Sequence, residues 1–349
     1  MTILRVGPAA VRSISNRIRN DRGWRYKTSE MPRLFSFLIF IASLACAFAA
    51  NAGNATAGQD GTQPVGGFVP KKSLSYIAFF SYGISGLVHW IHFFSVPPRR
   101  PFMITLPLGM TAMAAGFVLR VKYANPPFSL GTYVIMDLFI LLSPCFYLAT
   151  DYMLLSHLAT TFDEEVSTRC LLIRHSRITK IFVWSDVATF LLQSGGGGLT
   201  AMKNAKLADL GNKIALVGLI LQAVSFGLFT TVLVVFAWRM SEHFPDLWRP
   251  KKARPFKVFS RQPIDDWRIL VYIMFATCVA ILIRSIFRVA EFAGGYNGTI
   301  ATHEGYFYAF DTLPLWLAMS LYCVVWPARA LAKRYEQLEL GSRQPKSFT

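Results

Sequence analysis

Seven apolar runs of membrane-crossing length constrain this chain more than any motif does. They lie at Tyr76–Val96, Met103–Val121, Gly131–Leu155, Lys180–Leu199, Lys213–Trp238, Ile269–Ala290 and Phe307–Ala328. Each holds about 20 residues, enough at about 1.5 Å per residue to cross about 30 Å of hydrocarbon. Backbone in hydrocarbon must satisfy its own hydrogen bonds, which leaves helices or a closed barrel. No strand-length alternation punctuated by turns occurs, so helices are expected. Charged residues are 16% of 349, against about a quarter in soluble domains. The expected fold class is therefore all-α: a polytopic membrane protein with a seven-transmembrane-helix bundle over residues 76–328.

A shorter apolar run, residues 34–50, comes first. It follows Arg33 and ends in small residues, AFAANAGN. That pattern resembles a signal peptide with a late start at Met31, or an uncleaved signal anchor. Either places residue 51 outside. Residues 1–33 carry eight Lys or Arg and read as a basic, disordered arm. Residues 51–75 form an extracellular segment and residues 329–349 a cytoplasmic tail.

The net charge of +17 would suggest nucleic acid in a soluble protein. Here the basic residues sit in loops and tails, and nucleic acid is excluded as a partner. With residue 51 outside, the inner segments hold 19 Lys and Arg and the outer ones seven. This bias places the C-terminus in the cytoplasm. Two sequons, at Asn54 and Asn297, fall on the outer side and mark the chain as a candidate glycoprotein. The inner loop 239–268, with Arg249, Lys251, Lys252, Arg254, Lys257 and Arg261, lies against anionic lipid in this topology. A plasma-membrane residence is expected.

Other patterns carry less. Four of the five cysteines (Cys46, Cys145, Cys278, Cys323) lie in apolar runs, and Cys170 lies in a polar loop. No CxxC occurs, so neither a disulfide framework nor a zinc site is expected. The glycine run 195–198 lacks the Lys-Ser/Thr of a phosphate loop and reads as the terminator or flexible corner of the fourth run. His89 and His92 have the spacing of metal ligands, but no third ligand shares their depth. They are expected to pack in the bundle. No metal, no cofactor and no enzymatic activity is expected.

Ionisable groups inside spans cost about 2.5–3.5 kcal/mol on insertion scales, which makes them functional-site candidates. The fourth run carries Asp186 and Gln193, seven residues apart and on one face. The fifth holds Gln222. The sixth ends with Arg284, Arg288 and Glu291 at i, i+4 and i+7. The seventh opens with Glu304, Tyr308, Asp311 and Pro314. Arg284 lies about 22 Å from the inner end and Asp311 about 6 Å below the outer surface, so the two reach one level. Two readings stay open: an ion-pair staple between runs six and seven, or an outward-open polar cavity for a headgroup. Asp137 and Asp151, towards opposite ends of the third run, are expected to reach water.

In runs four to seven the chain resembles the fungal lipid-translocating exporters, a seven-span, RTA-like family linked to aminocholesterol resistance and sphingoid-base release. The resemblance lies in SDVATFLLQSGGGG, GLILQ, IRSIFRVAE and EGYFYAFDTLP, taken in that order, with Pro144 and Tyr152 in run three. It covers roughly residues 75–330. Run two departs: TAMAAGFVLR keeps Gly116 and Arg120, lacks the family's acidic residue, and has Phe117 for a tyrosine. Asp137 stands where the family has a polar amide, and the basic arm is not a family feature.

The resemblance implies export or translocation of amphipathic lipids, of sphingoid-base or sterol-amine type, and a part in lipid or toxicant resistance. The implied partners are membrane lipids and the lipid substrate. Asp186, Gln193, Gln222, Arg284, Arg288, Glu291, Glu304, Tyr308 and Asp311 are the candidate substrate-binding residues. No Walker A motif is present. The alternative is a seven-span sensor or receptor of lipid or stress signals, which the helix count fits equally well. The chain lacks the Asn-Pro-x-x-Tyr and Asp-Arg-Tyr of common animal receptors.

Overall fold

The computed structural model describes residues 69–97, 99–126, 128, 130–162, 164–200, 205–248, 266–294 and 303–332. The N-terminal arm, the run 34–50, both sequons, the basic stretch 249–265 and the tail beyond 332 lie outside the described residues. All described residues belong to one unit, Ala45–Thr349.

Among the described residues the chain is helical, without strands. The long helices are α1 (Lys72–Ser95), α2 (Thr105–Tyr123), α3 (Leu130–Ala159), α4 (His175–Thr200), α5 (Ala205–His243), α6 (Trp267–Ala293) and α7 (Glu304–Val324). All but α4 are long and apolar enough to cross a membrane. α4 has 26 residues, about 39 Å of helix, but Asp186, Gln193 and the glycine run dilute its hydropathy. The helices overrun the apolar runs by several residues at most ends. α7 falls short by the most, stopping at Val324 rather than Ala328, because extended Val325 precedes Trp326 and Pro327.

Each helix packs on its neighbours in chain order, and α7 returns to pack on α1, closing a ring. α3 also touches α5 and α6 across the interior. Contacts between consecutive helices run antiparallel. Ser143 of α3 donates to Gly109 O of α2 at 2.8 Å, while Thr150 pairs with Thr105 at 2.7 Å. α7 and α1 run parallel instead. Tyr82 donates to Thr312 O at 2.8 Å, and further along both helices Ser85 meets Ser320 at 3.2 Å. Parallel first and last helices are what an odd number of alternating helices requires.

The ring is turned inside out relative to a soluble bundle. α1 buries Ser75, Ala78, Tyr82, Ser85, Gly86 and His89. Its exposed face is Ile77, Phe80, Ile84, Leu87, Ile91 and Phe94. α5 likewise exposes Val217, Ile220, Val224, Leu228 and Trp238. Small and polar residues inside, with an apolar coat outside, is the arrangement that lipid as solvent selects. The chain is a multi-pass membrane protein.

The glycine run does not end α4. It lies within the helix, which continues to Thr200. Gly196 meets α5 backbone to backbone: a Cβ there would lie 2.5 Å from Ala215 N and 2.6 Å from Gly211 O. Gly211 and Gly218 supply the matching approach from α5. Glycine costs about 1 kcal/mol in a helix relative to alanine, so packing rather than propensity holds these residues.

Asp151 does not reach water either. It is fully buried and accepts hydrogen bonds from Thr277 of α6 and Tyr322 of α7, both at 2.9 Å. This ties the C-terminal halves of α3 and α7 to the N-terminal half of α6. Tyr322→Phe should therefore lower thermal stability in detergent by about 1.5–3 kcal/mol, the usual worth of a hydrogen bond to a charged group. An unchanged melting temperature would show that the bond is not made. Cys170, expected in a polar loop, is buried in a short helix, Glu164–Cys170, and burial raises its thiol pKa. His89 is buried with its Nε2 at 3.6 Å from Cys323 Sγ. Among the described residues no group of three or more His, Cys, Asp or Glu is placed to hold a metal.

Candidate functional site

The charged cluster joining α6 and α7, called the outer cluster after the side it takes in the expected topology, begins with two prolines. Pro144 lies inside α3 and cannot donate to the carbonyl four residues back, Ile140 O. That carbonyl instead accepts Arg284 Nη2 at 3.1 Å. Pro314, near the start of the last α-helical stretch of α7, cannot donate to Phe310 O. The backbone before it widens into a π-helical turn, Phe307–Thr312, a form frequent at functional sites. Tyr82 bonds the Thr312 carbonyl at the end of this turn.

Asp311 sits within the wide turn, fully buried. It accepts from Arg284 through one oxygen and from Arg288 Nε through the other, at 2.5 Å for the latter. Arg288 Nη1 also reaches Glu291 at 3.1 Å. Arg284, Arg288, Glu291 and Asp311 thus form one connected group joining α6 and α7, with α3 attached through Ile140.

A second ion pair adjoins it. Arg120, at the end of α2, pairs with Glu304 at 3.1 Å, and both are buried. Glu304 also accepts the Lys71 backbone N–H at 2.9 Å, fixing the start of α1 against α7. Phe307 lies between the two groups. Its ring centroid is 4.6 Å from the Arg120 guanidinium carbon and 5.2 Å from that of Arg288, within cation–π range. Tyr308 meets the Ser75 hydroxyl at 3.0 Å and stacks on Phe117.

Sequence reasoning missed two members, Arg120 and Asp137. Arg120 is the last residue but one of its apolar run and takes its carboxylate partner from α7, 184 residues away, so no local spacing marks it. Asp137 is partly buried on α3, and its electrostatic neighbours are Arg288, Asp311, Arg120 and Arg284. No ion pair among the described residues engages its carboxylate. The signal that could have found it is an ionisable residue inside an apolar run.

Among the described residues the cluster counts four carboxyl groups (Asp137, Glu291, Glu304, Asp311) against three guanidiniums (Arg120, Arg284, Arg288), one acid more than it has arginines. One donor is also spare: Arg288 Nη2 is buried without a hydrogen-bond partner. A buried acceptor lacking its cation and a buried donor lacking its acceptor are both costly when empty.

The remaining candidates lie elsewhere. Gln193 of α4 donates to Gln222 of α5 at 2.7 Å, and Gln222 approaches Cys145 Sγ of α3 at 4.0 Å. Asp186, about 10 Å further along α4, is buried beside Tyr152. These three residues form no hydrogen bond or ion pair with the outer cluster among the described residues.

The sequence model of the family described as "RTA1 like protein" matches residues 106–334. Protein RTA1 of Saccharomyces cerevisiae is 34% identical over 230 residues, 66% of this chain and 67% of that protein. Protoporphyrin uptake protein 1 of the same organism is 29% identical over 217 residues, 62% of this chain and 65% of that protein. The sphingoid long-chain base transporter RSB1, also from Saccharomyces cerevisiae, is 22% identical over 304 residues, 80% of this chain and 77% of that protein. No solved structure matches the chain. The matched segment holds α3 to α7, nearly all of α2 and every charged group of the cluster, and the chain belongs to the RTA1-like family.

Proposed function

We propose that this protein moves amphipathic lipids with a cationic headgroup across the membrane, and that the outer cluster receives the headgroup. The surplus carboxylate carries the reading. An ammonium group neutralises Asp137, and a headgroup hydroxyl or other acceptor satisfies Arg288 Nη2. A long-chain base offers both groups on one end and an apolar tail on the other. One relative is named as a transporter of such bases. Another is named for protoporphyrin uptake, so substrate class is not uniform among relatives. The role is transport rather than enzymatic catalysis, it needs no cofactor, and it contributes to lipid or toxicant resistance.

The same reading takes α4 as a seventh span. It is long enough, and it runs antiparallel to α3, by the pairs His175–Ser156 and Thr179–Tyr152, and to α5, by Gln193–Gln222 and Gly196–Gly211. The cluster then faces outward, with Asn54 and Asn297 open to glycosylation and the C-terminus in the cytoplasm of a plasma-membrane protein. The basic bias of the inner segments supports this orientation.

The test is flux of a fluorescent long-chain base in liposomes holding the purified protein alone. Faster equilibration than in protein-free liposomes is expected. Saturable binding with no flux would replace transport by the sensor reading.

A further inference from the structure

Among the described residues two buried acidic side chains lie outside the headgroup cluster: Asp151, whose two oxygens are both bonded, and Asp186. It is 3% exposed. Neither of its carboxylate oxygens has a hydrogen-bond partner, and neither does the hydroxyl of Tyr152, which faces it from α3. The surroundings are dry and aromatic. Tyr152 packs on Phe182 of α4 and Phe229 of α5, with centroids at 5.3 and 4.5 Å, and those two rings pack on each other at 5.5 Å.

Among the described residues no cation is at hand. α4 packs on α3 and α5. Its own basic groups, His175, Arg177 and Lys180, lie at its inner end. α3 faces Asp186 with Tyr152 and Cys145, and Asp151 stands behind Tyr152. His157 is at the inner end of α3 and Asp137 at the outer. α5 keeps its charged residues at its ends: Lys206, Asp209 and Lys213 outside, Arg239, Glu242 and His243 inside. An ionised carboxylate placed so, with no counter-charge among the described residues and only the Tyr152 hydroxyl facing it, is costly, which favours its protonated form.

A proton held in the middle of a membrane bundle can be exchanged only if a path exists. Towards the outer end lie Gln193, Gln222 and Cys145, linked in sequence. Towards the inner end lie Tyr152 and, beyond it, the Asp151–Thr277–Tyr322 group. Polar groups therefore flank Asp186 on both sides along α3.

We propose that Asp186, gated by Tyr152, is a proton-loading site that couples lipid movement to a proton gradient. On loading, a water-borne proton bonds to one carboxylate oxygen and neutralises it. On unloading, that O–H bond breaks, the proton leaves to the opposite side, and the Tyr152 hydroxyl donates to the carboxylate. The role in coupling rests on the transport reading; the existence of the site does not.

The first measurement is infrared difference spectroscopy of the purified protein through a pH titration. A protonated-carboxyl stretching band should be present in the wild type, titrate away as pH rises, and be missing in Asp186→Asn. Tyr152→Phe removes the donor that stabilises the ionised form, so the band should persist to higher pH. An Asp186-independent band, or one that does not titrate, overturns the proposal. Loss of the band on adding sodium at constant pH also overturns it, in favour of a metal cation. Asn has the size and neutrality of the loaded state, so folding is expected; Tyr152→Phe keeps the carboxyl and gives a second route if it is not. The second measurement is flux of the fluorescent long-chain base under an imposed pH gradient. Wild-type flux should respond to the gradient and to its collapse by a protonophore, and Asp186→Asn flux should respond to neither. Wild-type flux that ignores the gradient defeats the coupling and leaves the transport reading standing. No flux at all defeats the transport reading, and the infrared arm still decides the site.

Discussion

Asp311→Asn should remove most of the folded protein from the membrane. Asp311 is the shared acceptor of Arg284 and Arg288, fully buried between α6 and α7. Arg288 keeps Glu291 when it is lost, but Arg284 keeps only the Ile140 carbonyl. Breaking a buried pair by removing one partner typically costs about 3–5 kcal/mol, a large part of a protein's net stability of about 5–15 kcal/mol. Size-exclusion of a fluorescent fusion from detergent extracts reads the amount of folded protein directly. The monodisperse peak should collapse in Asp311→Asn and recover when Arg284 is also changed to Gln. A single variant with a normal peak would show that Asp311 is not the keystone of the α6–α7 contact.

A second large effect is expected at the α4–α5 seam. Gly196→Ala places a Cβ 2.5 Å from backbone of α5, closer than real contacts allow, and backbone cannot swing aside. The two helices must separate, at a cost of about 1–3 kcal/mol or more by analogy with overpacked cores. Gly197→Ala is the internal control: nothing lies within 4 Å of its added Cβ. There the substitution should stabilise by about 0.5–1 kcal/mol, because alanine loses less backbone freedom on becoming helical. Melting temperatures of the two variants should move in opposite directions. Movement in the same direction would mean that the close approach at Gly196 is absent.

The seven rods were legible because apolar runs of crossing length leave a chain few alternatives. Their ring order was not, since hydropathy says nothing of which face meets which helix. The face formed by Arg284, Arg288 and Glu291 could be read from helical spacing, and its meeting with Asp311 from depth. Spacing cannot show that Pro144 frees the Ile140 carbonyl for Arg284, because that bond depends on how α3 and α6 are placed. Nor could it separate Asp186 from the outer cluster, since residues that share polarity need not share a site. The glycine run was misread as a terminator because glycine's low helix propensity is a local signal, and the tertiary approach of α5 overrides it. Asp151 was expected at water because only its position along the run was visible, not the Thr277 and Tyr322 hydroxyls that enclose it.

Asp137 is the most informative position in the outer cluster. It has no ion-pair partner among the described residues, so its loss strands no arginine and leaves the ties between helices intact. The decisive measurement is equilibrium binding of a fluorescent long-chain base, and of its neutral N-acylated analogue, to purified wild-type and Asp137→Asn protein. Asp137→Asn should bind the free base at least about tenfold more weakly, about 1.4 kcal/mol, and should not distinguish it from the neutral analogue. Equal affinity of the two proteins for the free base would contradict the assignment of the surplus carboxylate to a cationic headgroup.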